Sequence, residues 1–110
     1  MSRGAPWSLD EAQYLAGAFF AQEFKNGDDS NPVCKLIAGA LDRTPGSIDR
    51  QWRNMQDIRI GKNQSNVGKV IVRVTLGYIA DISLGMRLAE ASATRNNWPT
   101  QVLKRRVSNG

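Results

Sequence analysis

The sequence predicts an all-α fold: a three-helix helix-turn-helix unit followed by additional C-terminal helices. Apolar residues recur at three- and four-residue spacing through most of the chain. Several of these runs open on a capping residue or a proline. The break between the second and third runs is only four residues, LDRT, which is short enough for a tight helix-turn-helix connection. The 110 residues amount to one domain, and an apolar share of 41% fills one modest core rather than two. Two parts are expected within that domain: residues 1–60 as the three-helix unit and residues 61–110 as a basic helical extension packed on it.

The first helix is expected over residues 6–24, PWSLDEAQYLAGAFFAQEF. Ser8 and Glu11 stand three apart, the spacing of a capping box, and Asp10 adds negative charge at the positive end of the helix dipole. Ala12, Leu15, Ala16 and Phe19 fall on one face, with Phe20 and Phe24 beside it. Residues 25–30, KNGDDS, form a polar loop. Asn31 caps and Pro32 opens the second helix, which runs to Leu41 with Val33, Ile37 and Leu41 inward and Cys34 and Ala38 adjacent. Cys34 reads as a small buried hydrophobe, since no histidine or second cysteine exists to activate it. Thr44 caps and Pro45 opens the third helix, which extends to Ile58 or Ile60.

After a polar break at residues 61–66, VGKVIVRVTLGYIADI admits two readings. Its valine alternation suits a strand, even a hairpin wing after the third helix. Val67, Ile71, Val74, Tyr78 and Ile82 equally fit one face of a helix capped by Asn66. SLGMRLAEASATRNN is a clearer helix, continuous with the preceding one or separate from it. Trp98 and Pro99 introduce a short last segment that frays into a basic tail.

At about 100° per residue, Ile48, Trp52 and Met55 form the core stripe of the third helix. Trp7 is expected to plug the core at the start of the first helix. Opposite the stripe lie Gly46, Arg50, Arg53, Asn54 and Asp57, with Ser47 on the flank. Arginine forks fit guanine or phosphate and an asparagine amide fits adenine. Gly46 and Ser47 would bring backbone N–H groups of the helix N-terminus to a phosphate. The same face without a partner would be an ordinary solvated surface, with Asp49 and Asp57 repelling phosphate.

The net charge is +5. Residues 1–60 sum to −1 and residues 61–110 to +6, so an acidic partner such as nucleic acid suits the second half. The chain has no histidine and one cysteine, which argues against a zinc site and against most acid–base catalysis. It carries no phosphate-binding glycine loop and no nucleophile elbow. No enzyme activity, cofactor or metal is expected. No apolar run is long enough to span a bilayer, the N-terminus lacks a secretory pattern, and the lone cysteine fits an intracellular, cytoplasmic setting.

WSLDEAQYL and LIAGALDRTPGSIDRQWRNM resemble the Myb/SANT family of three-helix domains. The matching residues are Trp7, Ser8, Asp10, Glu11, Ile37, Ala38, Arg43, Thr44 and Trp52, while Cys34 stands where that family has its middle tryptophan. The resemblance puts the base-reading positions at Asp49, Arg50, Arg53 and Asn54. The chain is also similar, over about residues 7–80, to the helical module that precedes the nuclease domain of bacterial HNH-endonuclease-like proteins. Asn31, Pro32, Arg43, Thr44, Pro45, Ser47, Ile48, Asn54, Ser65, Asn66 and Lys69 carry that similarity, with Met55 in place of phenylalanine. It implies that residues 67–80 are helical and that the chain is a DNA-associated module, because no HNH site exists without histidine.

The expectation is a non-catalytic protein that lays its third helix in the major groove of duplex DNA. Arg50, Arg53 and Asn54 would face the groove. Arg43, Lys62 and Lys69 would hold phosphates, and Lys104, Arg105 and Arg106 would add salt-dependent affinity. Fitting contexts are transcriptional regulation, a phage or mobile element, or the targeting subunit of a restriction system. The alternative is a SANT-like protein-interaction module in which residues 67–95 meet a second copy or another protein.

Overall fold

The computed structural model describes residues 6–22, 32–62 and 67–104. Five α-helices account for most of them: α1 (Leu9–Gln22), α2 (Pro32–Leu41), α3 (Pro45–Arg59), α4 (Lys69–Ala80) and α5 (Ile82–Asn96). A 3-10 helix, Gln101–Leu103, follows, and no strand occurs among the described residues. The fold class is therefore all-α, and residues 69–80 are helix rather than a hairpin wing. Phe24, the 25–30 loop, Asn31, Ser65, Asn66, Arg105 and Arg106 lie outside the described residues.

Local chemistry sets the helix ends. The capping box of α1 forms reciprocally: Glu11 N–H donates to Ser8 Oγ at 3.1 Å and Ser8 N–H donates to Glu11 Oε1 at 3.0 Å. Thr44 Oγ1 accepts from Ser47 N–H at 3.1 Å, with Pro45 at the first helical position of α3. Three helices stop in the same way. Asp42, Gly61 and Asn97 take left-handed φ values of 55°, 82° and 56°. The next N–H reaches back five residues in each case: Arg43 to Ala38, Lys62 to Asp57 and Trp98 to Ala93, all at 2.9 Å. This closure uses carbonyls that a helix C-terminus leaves open, and glycine, asparagine and aspartate tolerate the conformation best.

α1 is the centre of the molecule. Residues 14–19 are buried without interruption, so α1 is not the one-faced helix that its spacing suggested. α5 packs most extensively along it, with α4, α3 and the 3-10 helix completing the surround. The small residues of the AGA run permit this. A Cβ built on Gly17 would lie 2.6 Å from Ala89 Cβ and 2.8 Å from Leu103 Cδ2, so only glycine allows α5 and the last segment to close on α1 together. One buried cluster consequently runs from Ala12 to Leu103. The second half supplies much of the burial of α1.

The core stripe of α3 is buried as expected, with Trp52 packed edge-to-face against Phe19 at 5.3 Å between centroids. In α4, Ile71, Val74 and Tyr78 face inward, and Phe20 stacks on Tyr78 at 4.6 Å. Ile82 departs from that face and is exposed. The reason is a break at Asp81, whose backbone is extended and whose carboxylate caps α5 by accepting from Leu84 N–H at 3.0 Å. α4 and α5 are therefore two helices. α5 folds back tightly because Gly85 rests on the Tyr78 ring, where a Cβ would come within 2.5 Å of a ring carbon.

Candidate nucleic-acid interface

The outer face of α3 lies beyond the tight turn at residues 42–44 that joins it to α2. Two shallow depressions lie along it. Trp7, Thr44, Gly46, Ser47, Arg50 and Gln51 line the first, together with Arg43. Arg53, Gln56, Asp57, Ile60 and Lys62 line the second. Six of the expected contact residues thus line these depressions: Arg43, Gly46, Ser47, Arg50, Arg53 and Lys62. Lys69 opens α4 and Lys104 ends the 3-10 helix, and both are exposed but line neither depression.

The cations on this face differ in their commitments. Arg50 is exposed and has no hydrogen bond or ion pair among the described residues. Arg53 Nε lies 3.1 Å from Asp49 Oδ2, one turn away, with its side chain still 67% exposed. Lys62 Nζ stands 4.0 Å from Asp57 Oδ1. Asp49 has only 18% of its side chain exposed, and its Oδ1 is buried with no hydrogen-bond partner. Its other oxygen is paired with Arg53, which partly neutralises the charge that Asp49 would present to a phosphate. An i,i+4 pair contributes about 0.5 kcal/mol on a helix surface, and because Asp49 is largely buried, a phosphate would meet the exposed side of the Arg53 guanidinium rather than displace Asp49.

Arg43 requires a correction. It was expected on a phosphate, but its side chain is only 2% exposed. Its Nε and one terminal nitrogen each donate to Glu11 at 3.0 Å, and the terminal nitrogen also reaches the Pro6 carbonyl at 3.2 Å. The guanidinium lies 4.4 Å from the Trp7 ring centroid. Trp7 is half-buried, packed against the core cluster at the start of α1 and beneath Arg43. Burial pushes the Glu11 carboxyl up, but the hydrogen bonds from Arg43 and Ser8 with the Arg43 charge more than offset it, leaving it below the ordinary value. Arg43 fastens the turn before α3 to the start of α1 and presents no charge to a ligand.

Two further expectations change in detail. The Ser47 N–H is already used by the Thr44 hydroxyl, so a phosphate at this helix end would rely on Gly46 and Arg50. Asn54 is half-buried and donates to Gln51 Oε1 at 3.0 Å. Gln51 and Gln56, which line the depressions, were missed. They sit between the core stripe and the outer face, where the wheel assigns them to neither.

The chain has no significant match among family models, curated proteins or solved structures.

Proposed function

We propose that this chain is a non-catalytic duplex-DNA-binding protein that inserts the outer face of α3 in the major groove. The observation that carries the reading is Arg50: an exposed guanidinium with no partner among the described residues, near the start of the helix that follows a tight turn. Arg53 extends the same row, its guanidinium largely exposed beside Asp49, and Lys62 adds positive charge at the C-terminal end of α3. Gln51 and Asn54 supply amides for base edges once their mutual hydrogen bond opens. The Myb/SANT-like resemblance fits this placement, with Arg43 recast as a structural residue. Lys69 and Lys104, with Arg105 and Arg106 outside the described residues, add long-range attraction. Regulation of transcription, and work within a phage, mobile element or restriction system, are contexts in which such a binder operates with chemistry left to a partner.

A mobility-shift titration with random-sequence duplex tests this. Wild type shifts the duplex at low salt, and Arg50→Ala/Arg53→Ala weakens the complex by roughly tenfold or more. Lys104→Gln/Arg105→Gln/Arg106→Gln weakens it less. Truncation after Val102 is a poor test of the tail, because it removes Leu103 from beside Gly17 and a hydrogen bond from Gln22 to the Lys104 carbonyl. A wild type that binds no duplex at low salt defeats the reading.

A further inference from the structure

On the far side of α1 from the turn that precedes α3, α4 and α5 enclose a groove of about 180 Å3. Leu9, Val74, Gly77, Tyr78, Leu84 and Leu88 line it. Leu9, Leu84 and Leu88 are all exposed large hydrophobics. The core already closes without these side chains, and a contiguous apolar patch of this kind marks a site of association. Nothing crowds the position above Gly77, so the α4 wall is open to an incoming side chain.

Charge selects the partner. Arg73 lines the groove from α4, and Arg87 projects from α5 beside the Leu84 and Leu88 stripe. Neither has a hydrogen bond or ion pair among the described residues. Asp10, the carboxylate at the α1 end, is already occupied by Arg95 at 2.7 Å and Asn96 at 3.0 Å. Glu90 lies on the opposite side of α5 from Leu88 at helical spacing. Arg73 thus lines the apolar groove and Arg87 stands on the exposed side of α5 next to Leu84 and Leu88, while the Asp81 carboxylate at the α4–α5 break is committed to the Leu84 N–H. We propose that the groove docks an amphipathic, acidic helical segment of a protein partner. Apolar side chains at i, i+3 and i+4 of that segment enter the groove, and its carboxylates meet Arg73 and Arg87. This inference is independent of the role assigned to α3.

The test uses a fluorescent synthetic helix with leucine at i, i+3, i+4 and i+7 and glutamate elsewhere. Controls are its lysine-for-glutamate counterpart and a serine-for-leucine version. Anisotropy titration of the full chain should show binding of the glutamate peptide only. Leu88→Asp should weaken it by roughly tenfold or more. Arg73→Ala/Arg87→Ala should weaken it several-fold and flatten its salt dependence, while Arg50→Ala leaves it unchanged. All variants are checked for wild-type circular dichroism. Equal binding of the lysine peptide, loss of binding in Arg50→Ala alone, or no binding of any peptide overturns the proposal. So does a chain that doubles its mass through this face in light scattering, since a second copy would then be the occupant.

Discussion

At the start of α1, two carboxylates bind groups from distant parts of the chain. Asp10 holds Arg95 and Asn96 of α5, and Glu11 holds Arg43 of the turn before α3. Along the outer face of α3, the carboxylates hold only near neighbours: Asp49 holds Arg53 and Asp57 holds Lys62. Arg50 has no partner among the described residues. Both pairs at the start of α1 tie it to a distant segment, but only Glu11–Arg43 is buried, so losing one of its partners strands a charge in low dielectric, whereas Asp10–Arg95 is exposed. Pairs within one helical turn fix no tertiary arrangement, and the Arg53 guanidinium stays largely exposed beside Asp49. The same residue type, arginine, is therefore structural at position 43 and free for recognition at position 50.

The largest expected effect breaks the structural side. Glu11→Ala removes the α1 capping box and leaves Arg43 buried without its carboxylate, destabilising the fold by about 3–5 kcal/mol. Urea unfolding measures it, and a loss no larger than that of a surface substitution means that Arg43 is solvated. Next is Gly17→Ala, which forces a methyl against Ala89 and Leu103 and costs about 1–3 kcal/mol by the same measurement. An unchanged midpoint would show that α5 does not sit so close to α1.

The pH dependence follows from three groups. Hydrogen bonds from Arg95 and Asn96, with smaller help from Ser92 and the Arg95 charge, hold the Asp10 carboxyl at about 2 instead of 3.8. Its folded-state pKa is depressed, so the stabilisation is full above 3.8 and is lost as pH falls towards 2. Asp10→Asn should flatten stability over that window, and a wild-type slope in the variant would rule out the α1–α5 network as its source. Burial raises Tyr14 and Tyr78 to about 12, with the Glu90 charge adding to Tyr78. Their raised values stabilise the fold fully below 10 and cease to do so as pH rises through 12. Since these are the two tyrosines of the chain, tyrosinate absorbance should rise near 12. A rise near 10 would place a phenol in water and contradict the 2.6 Å bond from Tyr14 to the Pro99 carbonyl. The smallest stability effect belongs to Arg50→Ala, within about 0.5 kcal/mol of wild type.

Much of this was legible in the sequence because it is local. The Ser8–Glu11 box, the Thr44–Pro45 start and the Ile48, Trp52, Met55 stripe each depend on residues within one or two turns, and each took its expected form. The outward placement of Arg50 and Arg53 follows from the same wheel. What the sequence concealed is pairing across distance. Arg43 and Arg50 look alike until Glu11, 32 residues before Arg43, is brought alongside. The burial of α1 on all sides was signalled by the Ala16, Gly17, Ala18 run, but which helix uses that closeness depends on tertiary packing. Ile82 was misplaced because Asp81 satisfies two patterns, a continuing helix and a new cap, and the cap prevailed.

The central claim is that Arg50 meets phosphate or base while Arg43 holds the fold. The most direct measurement is the salt dependence of duplex binding for wild type, Arg50→Ala and Glu11→Ala, at a temperature where all three remain folded. Each lost phosphate contact lowers the log–log slope by about 0.9. The account predicts a shallower slope and weaker binding for Arg50→Ala, and a wild-type slope for Glu11→Ala despite its lower stability. A wild-type slope and affinity in Arg50→Ala would contradict it.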